Sequence, residues 1–449
     1  MVYTIYESVQ GGNGLLSNYI AWFTHRVVEP EVLEKLYVLK RYEQKSLDEK
    51  IHDQIVKFKN IAQYAYSYNK YYKRIFDNHG IDIEQIRYYE DIEKIPSTTK
   101  QDMVDHYEDF IANPPPYPYM NNHTSGTSGF FFHYRIDKSA LYFGKAKLLR
   151  GWGYGGYTIG DKMATISPSK ESFLKRMAMK YLLARVNIPV AEMSDSSIQK
   201  KIELLNQWKP LYVRGYVSSI LLISDYIIKN KIVLKFTPKN IFTTAEKLHE
   251  NQRKLISEAF KADVFDTYGL YDCGITAFEC EYHNGLHIDY ENSLFEIVNE
   301  HGNGIYEQEG KIIGTDFYNY SFPFIRYDTG DYGILSKKEC SCGRTSDRVM
   351  SILGRETDHL ELHGTRIRIA HNFMYNCNVK QFQVHQTDSH TVKFLIVKLP
   401  TYTEKHEKMI IQSILSKVDH VTVHVEYVDT ILPYQGNKFK IIVRHNNDG

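Results

Sequence analysis

Three groups of residues in this sequence have the types and spacing for chemistry. Cys280 and His287 stand close together, and Cys340-Ser341-Cys342 follows in a turn closed by Gly343. Three thiolates and one imidazole form a tetrahedral zinc complement. With four protein ligands no coordination position is left for a substrate, so such an ion is structural. His283 is the alternative imidazole, and the alternative to a metal site is that Cys280 is a small buried apolar residue. The second group is Thr124-Ser125-Gly126-Thr127-Ser128-Gly129, a flexible loop whose amides and hydroxyls can wrap phosphate oxygens. It is not a Walker A loop, because no Gly-Lys-Ser/Thr follows. The third group is a series of turns: Tyr268-Gly269-Leu270-Tyr271-Asp272, Tyr327-Asp328-Thr329-Gly330-Asp331, Gly354-Arg355-Glu356-Thr357-Asp358 and Gly436-Asn437-Lys438-Phe439-Lys440. Singly, each of these reads equally well as a solvated turn.

The elements between these groups predict an α/β architecture. Residues 29–93 carry apolar side chains mostly at three- and four-residue steps (Leu33, Leu36, Leu39, then Ile51, Ile55, Phe58), which predicts an N-terminal helical segment. Pro96-Ser97-Thr98-Thr99-Lys100 ends it, and Phe130–Ile136 is rich in strand formers. Short apolar runs at 162–166, 211–213, 241–244 and 264–267 alternate with helical stretches at 196–208 and 218–230, the pattern of a mostly parallel sheet covered by helices. Strands dominate from 294 to 335. Beyond Gly354-Arg355, strand pieces surround a helix near 404–418. This predicts a large domain over 1–355, with a zinc-binding segment at 273–345, and a small α+β domain over 356–449. Arg150-Gly151-Trp152-Gly153-Tyr154-Gly155-Gly156-Tyr157 interleaves rings with glycine, as a flat slot for an aryl group does, though core packing produces the same pattern.

Composition excludes several classes. The chain has 449 residues with 55 basic against 54 acidic side chains, so no global nucleic-acid surface is expected. An aromatic content of 14% argues against disorder. The most apolar run, Val217–Ile228, carries Asp225 and falls short of the ~20 residues a spanning helix needs, so no membrane insertion is expected. The first residues lack a basic stretch followed by an apolar one, and five cysteines are no disulfide scaffold; both point to a reducing, cytoplasmic setting.

In their order along the chain, these motifs resemble the adenylate-forming superfamily of acyl-CoA ligases. The likeness is greatest to the phenylacetate–CoA ligase family, with its capsule-biosynthesis and deazaflavin-cofactor adenylyltransferase relatives. It covers nearly the whole chain and includes Ile95-Pro96-Ser97-Thr98-Thr99-Lys100, Gly215-Tyr216-Val217-Ser218-Ser219 and Thr244-Ala245-Glu246. The resemblance implies an acyl-CoA synthetase-like large domain with a C-terminal lid. It also implies ATP-dependent activation of a small, for example aromatic, carboxylic acid as acyl-adenylate, followed by transfer to coenzyme A or another thiol. By the same resemblance Thr124, Ser125, Gly126, Thr127, Ser128 and Gly129 would hold the β- and γ-phosphates, and Asp272, where relatives have Glu, would help bind Mg²⁺. Thr244, Ala245, Glu246, Tyr268 and Gly269 would line the adenosine pocket, while Asp331 and Arg355 would bind the ribose region. Lys438 would bridge carboxylate and α-phosphate, with Lys440 as its rival, and Asp358 would be the hinge. Zinc on Cys280, His287, Cys340 and Cys342 has parallels in some members, and a homodimer is one assembly state to expect. The phosphate loop of relatives usually ends Gly-Lys-Pro or similar, and here Phe130 follows Gly129, so one phosphate cation is missing. Adenylyl transfer, acyl-amine ligation and a non-catalytic zinc-stapled scaffold are the alternative outcomes.

Overall fold

The structure is a computed structural model that describes residues 15–123, 132–167, 172–189, 195–270, 272–355, 359–369, 374, 377–431 and 441–445. The N-terminal helices begin and end where local chemistry dictates. Ser46 and Glu49 form a reciprocal capping box at the start of the Leu47–Tyr68 helix. Asn69 separates that helix from the next, Lys70–His79: its side chain accepts from the Tyr72 amide at 3.0 Å and donates to the Phe110 carbonyl at 2.7 Å. Gly80 closes the second helix at φ 62°, a left-handed C-cap.

A hairpin of β1 (Tyr119–His123) and β2 (His133–Asp137) follows. Next comes a five-stranded parallel sheet of β3 (Met163–Ser167), β4 (Arg185–Pro189), β5 (Tyr212–Tyr216), β6 (Asn240–Thr244) and β7 (Asp263–Phe265), in the order β4-β3-β5-β6-β7. Helices Phe173–Leu182, Asp195–Trp208, Val217–Lys229 and Glu250–Phe260 make the crossovers. Ile166, Val213, Ile241 and Val264 of the strands pack on Ile202, Ile220 and Ile256 of the helices. Because β4 and β5 flank β3 on opposite sides, the winding direction reverses at β3. Open α/β sheets bind ligands at the carboxyl ends of such strands.

The second large sheet is antiparallel: β8 (Thr267–Gly269), β9 (Thr276–Glu279), β10 (Leu286–Ile288), β11 (Ser293–Val298), β12 (Glu309–Asp316), β13 (Tyr327–Ser336) and β14 (Arg348–Arg355), in the order β11-β12-β13-β14-β10-β9-β8. The N-terminal helices bury Phe58, Tyr72 and Phe110 against Phe295 and Phe322 of this region. Arg326, 1% exposed, pins the segment before Pro96: it donates to the Glu93 and Gly302 carbonyls at 2.7 Å each and pairs with Glu296 at 3.1 Å.

Residues beyond 358 build the pair β15 (His359–Leu362) and β16 (Thr365–Arg368), then the four strands β17 (Val379–Gln386), β18 (Thr391–Lys398), β19 (Thr422–Tyr427) and β20 (Ile442–Arg444), in the order β19-β18-β17-β20. With helix Glu404–Leu415 they enclose their own apolar cluster, which includes the buried Cys377. This unit touches the parallel-sheet helices through Asn251 Nδ2 donating to the Val379 carbonyl at 3.2 Å and through Lys380 paired with Asp225.

Two expectations change. The run 264–267 is one strand in sequence but two in structure, because the chain passes from one sheet to the other at Asp266. The ring-and-glycine segment 150–157 is not a flat aryl slot. It ends the Lys138–Tyr154 helix, where Trp152 is buried against Tyr157 and Phe242, with ring centroids 5.6 and 6.3 Å away. A Cβ on Gly151 would fall 2.0 Å from the Phe278 ring, so that glycine is there to let helix and sheet approach.

Candidate active site

The carboxyl ends of β5 and β6 are tied together. After Thr244 the backbone turns through Ala245 at a left-handed φ of 68°, a conformation that costs a non-glycine residue energy. The turn brings the Glu246 carboxylate to Ser218, accepting from its amide at 2.7 Å and from its hydroxyl at 2.9 Å. One residue back, the Thr243 hydroxyl donates to Asp266 at 2.7 Å, and the Asp266 amide donates to Glu279 at 2.8 Å. Asp266 therefore welds the two large sheets at the point where the chain passes between them. Burial first, then the Glu279 carboxylate, push its carboxyl up to about 6.

β8 starts at that weld and carries Tyr268, whose hydroxyl donates to Asp331 at 2.9 Å. Asp331 and Arg355 are register partners on β13 and β14, with the Arg355 Nε 3.3 Å from the other Asp331 oxygen. Burial and the Asp331 charge hold the Tyr268 phenol protonated, well above its ordinary value, so it stays a donor. Asp272 follows in the next turn. Burial raises its carboxyl and Asp331 raises it further, while Arg355 and Lys100 oppose the shift. Burial lowers the Lys100 ammonium, and so does Arg355. Lys100 thus reaches the same cleft, carried there by a short parallel bridge between Thr98 and Tyr327. The β1–β2 hairpin faces it too: the Tyr134 phenol is raised by burial and then by the Asp272 carboxylate. The His123↔His133 pair ends that hairpin, with the Ser/Thr/Gly loop joining its two strands.

Below the cleft, β9 and β10 form one hairpin and β13 and β14 another, joined by β10–β14 pairing. This brings Cys280, just after β9, and His287, on β10, together with Cys340 and Cys342 of the β13–β14 connection, their ligand atoms within 4.8 Å of one another. A Zn–S bond of ~2.3 Å at the tetrahedral angle sets two sulfurs about 3.8 Å apart, and sulfur and imidazole nitrogen about 3.6 Å apart. Cys280 and Cys340 sulfurs are 3.7 Å apart, and Cys342 Sγ lies 3.3 Å from His287 Nε2. A disulfide needs ~2.05 Å. The His287 Nδ1 is held at 2.8 Å by the Ser346 hydroxyl, which leaves Nε2 for an ion. Burial lowers the imidazole to about 4, so it is neutral. His283 turns away, 3.2 Å from Glu279. Lys50, from the N-terminal helices, grips this turn by donating to the Thr345 hydroxyl at 2.8 Å and its carbonyl at 3.1 Å.

The structure groups Tyr268, Asp272, Asp331 and Arg355, while Thr244, Ala245 and Glu246 lie at the end of β6, which packs beside β8. Gly269 lies on β8, where a Cβ would meet Thr276 at 2.8 Å. Thr124–Gly129, Phe130, Asp358, Lys438 and Lys440 lie outside the described residues. Sequence reasoning misses the roles of Lys100 and Ser218, although each belongs to a segment that carries the family resemblance. It missed Lys147, buried on the Lys138–Tyr154 helix, which donates to the Gly274 carbonyl and so anchors the turn two residues past Asp272.

No protein-family profile matches the chain. Curated proteins do. A phenylacetate–coenzyme A ligase of Thermus thermophilus is 25% identical over 69% of this chain and 71% of its own length. Protein CapK of Staphylococcus aureus is 25% identical over 87% of this chain and 88% of its own. The phenylacetate–coenzyme A ligase of Escherichia coli is 26% identical over 72% and 75%. Among solved structures, 2-hydroxyisobutyryl-CoA ligase in the postadenylation state superposes with a TM-score of 0.71 at 17% identity, covering 91% of this chain and 92% of that one. That match establishes a common fold.

Proposed function

We infer that this chain is an AMP-forming acid–thiol ligase of the phenylacetate–CoA ligase family, within the adenylate-forming superfamily. It activates a carboxylic acid with ATP and passes the acyl group to the thiol of coenzyme A. The observation that carries this reading is the Tyr268–Asp331–Arg355 constellation. Asp331 is held at one oxygen by a phenol and at the other by a guanidinium. A carboxylate fixed in this way is the acceptor type that two neighbouring hydroxyls of a ribose require. Asp272 and Lys100 stand beside this constellation, and the reading assigns the phosphates to their side of the ribose site.

The substrate acid is ionised at neutral pH, so no general base is required for the first step. A carboxylate oxygen bonds to the α-phosphorus as the bond to the pyrophosphate oxygen breaks. The thiolate then bonds to the acyl carbon, and AMP leaves with the electron pair of the mixed anhydride. The protein's task is to hold two anions together and to offset charge around phosphorus. In this reading Thr124–Gly129 cradle the β- and γ-phosphates, Thr244–Glu246 and Gly269 flank the base, and Lys438 spans carboxylate and α-phosphate from a small domain of residues 356–449 that turns about Asp358. Lys100 supplies a further cation beside Asp272. Asp272 offers the hard oxygen ligand that Mg²⁺ prefers, and the ion supplies charge neutralisation on the phosphates when bound. Cys280, His287, Cys340 and Cys342 hold a structural zinc; their 3.7 and 3.3 Å separations fit the tetrahedral ion.

The test is ATP–pyrophosphate exchange over aryl, fatty, hydroxy and amino acids, with and without coenzyme A. Exchange should need an acid but not the thiol, and thioester should appear only when both are present. A chain that binds ATP yet gives no exchange with any acid class would refute the reading.

A further inference from the structure

Away from the cleft, two neighbouring helices leave apolar side chains bare. In the Phe173–Leu182 helix no residue is buried, and Phe173, Leu174 and Tyr181 are 63%, 80% and 63% exposed. On the adjoining Leu15–Val28 helix, Tyr19, Phe23 and Val27 recur every fourth residue and are 65%, 54% and 63% exposed. Scattered exposed apolar residues are ordinary, but a run of this size on two adjacent helices marks an interaction surface.

Charge selects the partner. Neither helix contains a single Asp or Glu, while Arg26, Lys175, Arg176 and Lys180 are all basic. Three of these cations lie over aromatic rings of their own helix: Arg176 at 5.5 Å from Phe173, Lys180 at 5.3 Å from Tyr181 and Arg26 at 5.2 Å from Trp22. A second copy meeting this patch across a two-fold axis would set cation against cation. An anionic bilayer satisfies both features: its headgroups take the Lys and Arg heads, and the boundary of its acyl region takes Phe, Leu and Tyr.

We propose that the Phe173–Leu182 and Leu15–Val28 helices dock this protein peripherally on an anionic lipid surface. The contact lies on the membrane, not across it, since no helix among the described residues is long and apolar enough to span. The docking surface is independent of the ligase reading.

Co-sedimentation of the full chain with vesicles tests it, using phosphatidylcholine alone against phosphatidylcholine containing about a third phosphatidylglycerol. The chain should pellet with the anionic vesicles and stay in solution with the neutral ones, and salt should weaken the binding. Lys175→Ala or Arg176→Ala should each lower the partition constant about five-fold, and Leu174→Asp should abolish binding while acid-dependent exchange stays unchanged. Absence of binding to anionic vesicles, equal binding to neutral ones, or full binding by Leu174→Asp would each overturn the proposal. So would a wild-type dimer that Leu174→Asp converts to monomer, because the patch would then belong to a second copy.

Discussion

Replacing Cys342 by Ser removes one sulfur from the four-ligand cluster and separates the structural role of a zinc from the chemistry of the cleft. The wild type should carry about one zinc per chain by plasma emission spectrometry, and the variant close to none. With free zinc a thousandfold above its dissociation constant, binding adds about 4 kcal/mol to the folded state. In a domain of this class each kcal/mol is worth roughly 2–4 °C, so melting should fall by about 8–16 °C. Geometry predicts which property is spared. β14 runs from Arg348, beside the cysteine turn, to Arg355 in the cleft. At ~3.4 Å per residue the two ends are more than 20 Å apart. β13 and β10 pair along β14 on both sides, so the far end keeps its register. The KM for ATP measured below the lowered melting point should therefore change less than about threefold, since distant effects decay with separation. A metal-free wild type, or a Cys342→Ser variant that melts with wild type, would remove the zinc. A variant with unchanged melting but a large rise in KM would refute the division of labour between the two ends of the hairpin.

Other outcomes follow from single contacts. Tyr268→Phe deletes one hydrogen bond to a charged acceptor, about 1.5–3 kcal/mol, and should raise the KM for ATP roughly ten- to a hundredfold in exchange assays. Lys438→Ala should abolish acid-dependent exchange with the fold intact by circular dichroism, whereas Lys440→Ala should retain it; the reverse result moves the catalytic role to Lys440. Arg326→Met leaves Glu296 buried and unpaired and frees three backbone carbonyls, those of Glu93, Ile95 and Gly302, so urea denaturation should show a loss of about 3–5 kcal/mol. Asp266 has a folded pKa of about 6, above its unfolded value. Between about pH 4 and 6 the unfolded chain ionises there first, so this group's contribution falls as pH rises, by no more than about 3 kcal/mol. Asp266→Asn should flatten that part of the stability–pH curve, and an unchanged slope would assign it to another group.

The sequence displayed the parallel sheet because buried strands and amphipathic helices carry different periods; the runs at 241–244 and 211–213 emerge as β6 and β5 within a residue or a few of the expected bounds. It also displayed Cys280 with His287 and Cys340 with Cys342 as two local pairs, whereas the meeting of the pairs rests on the β10–β14 pairing. What it hid was tertiary. The division of 264–267 at Asp266 depends on two sheets meeting, and nothing in Val-Phe-Asp-Thr marks that. The glycines of 150–157 looked like an opening because period alone cannot say that Phe278 fills the space they leave. Lys147 sits mid-helix among apolar residues, and only the fold shows that its ammonium reaches the Gly274 carbonyl.

The charge inventory of the cleft has a consequence for the order of events. Asp272 and Asp331 face Arg355 and Lys100, two carboxylates against two cations. Those charges offset one another, so this part of the cleft brings little surplus positive charge to a triphosphate and an organic anion. On the proposed reading Phe130, which follows the phosphate loop directly, supplies no cation there either. Two anions brought together in a partly desolvated cleft repel strongly, because the effective dielectric there is far below that of water. On the proposed reading the compensation arrives with the ligands: Mg²⁺ would accompany ATP, and Lys438 would come with the small domain. On this reasoning the acid binds weakly to the protein alone and gains affinity once Mg·ATP is in place, a coupling that calorimetric titration of the acid with and without a non-hydrolysable ATP analogue measures. Equal acid affinity in both titrations would show that the cleft already holds the positive charge this reasoning denies it.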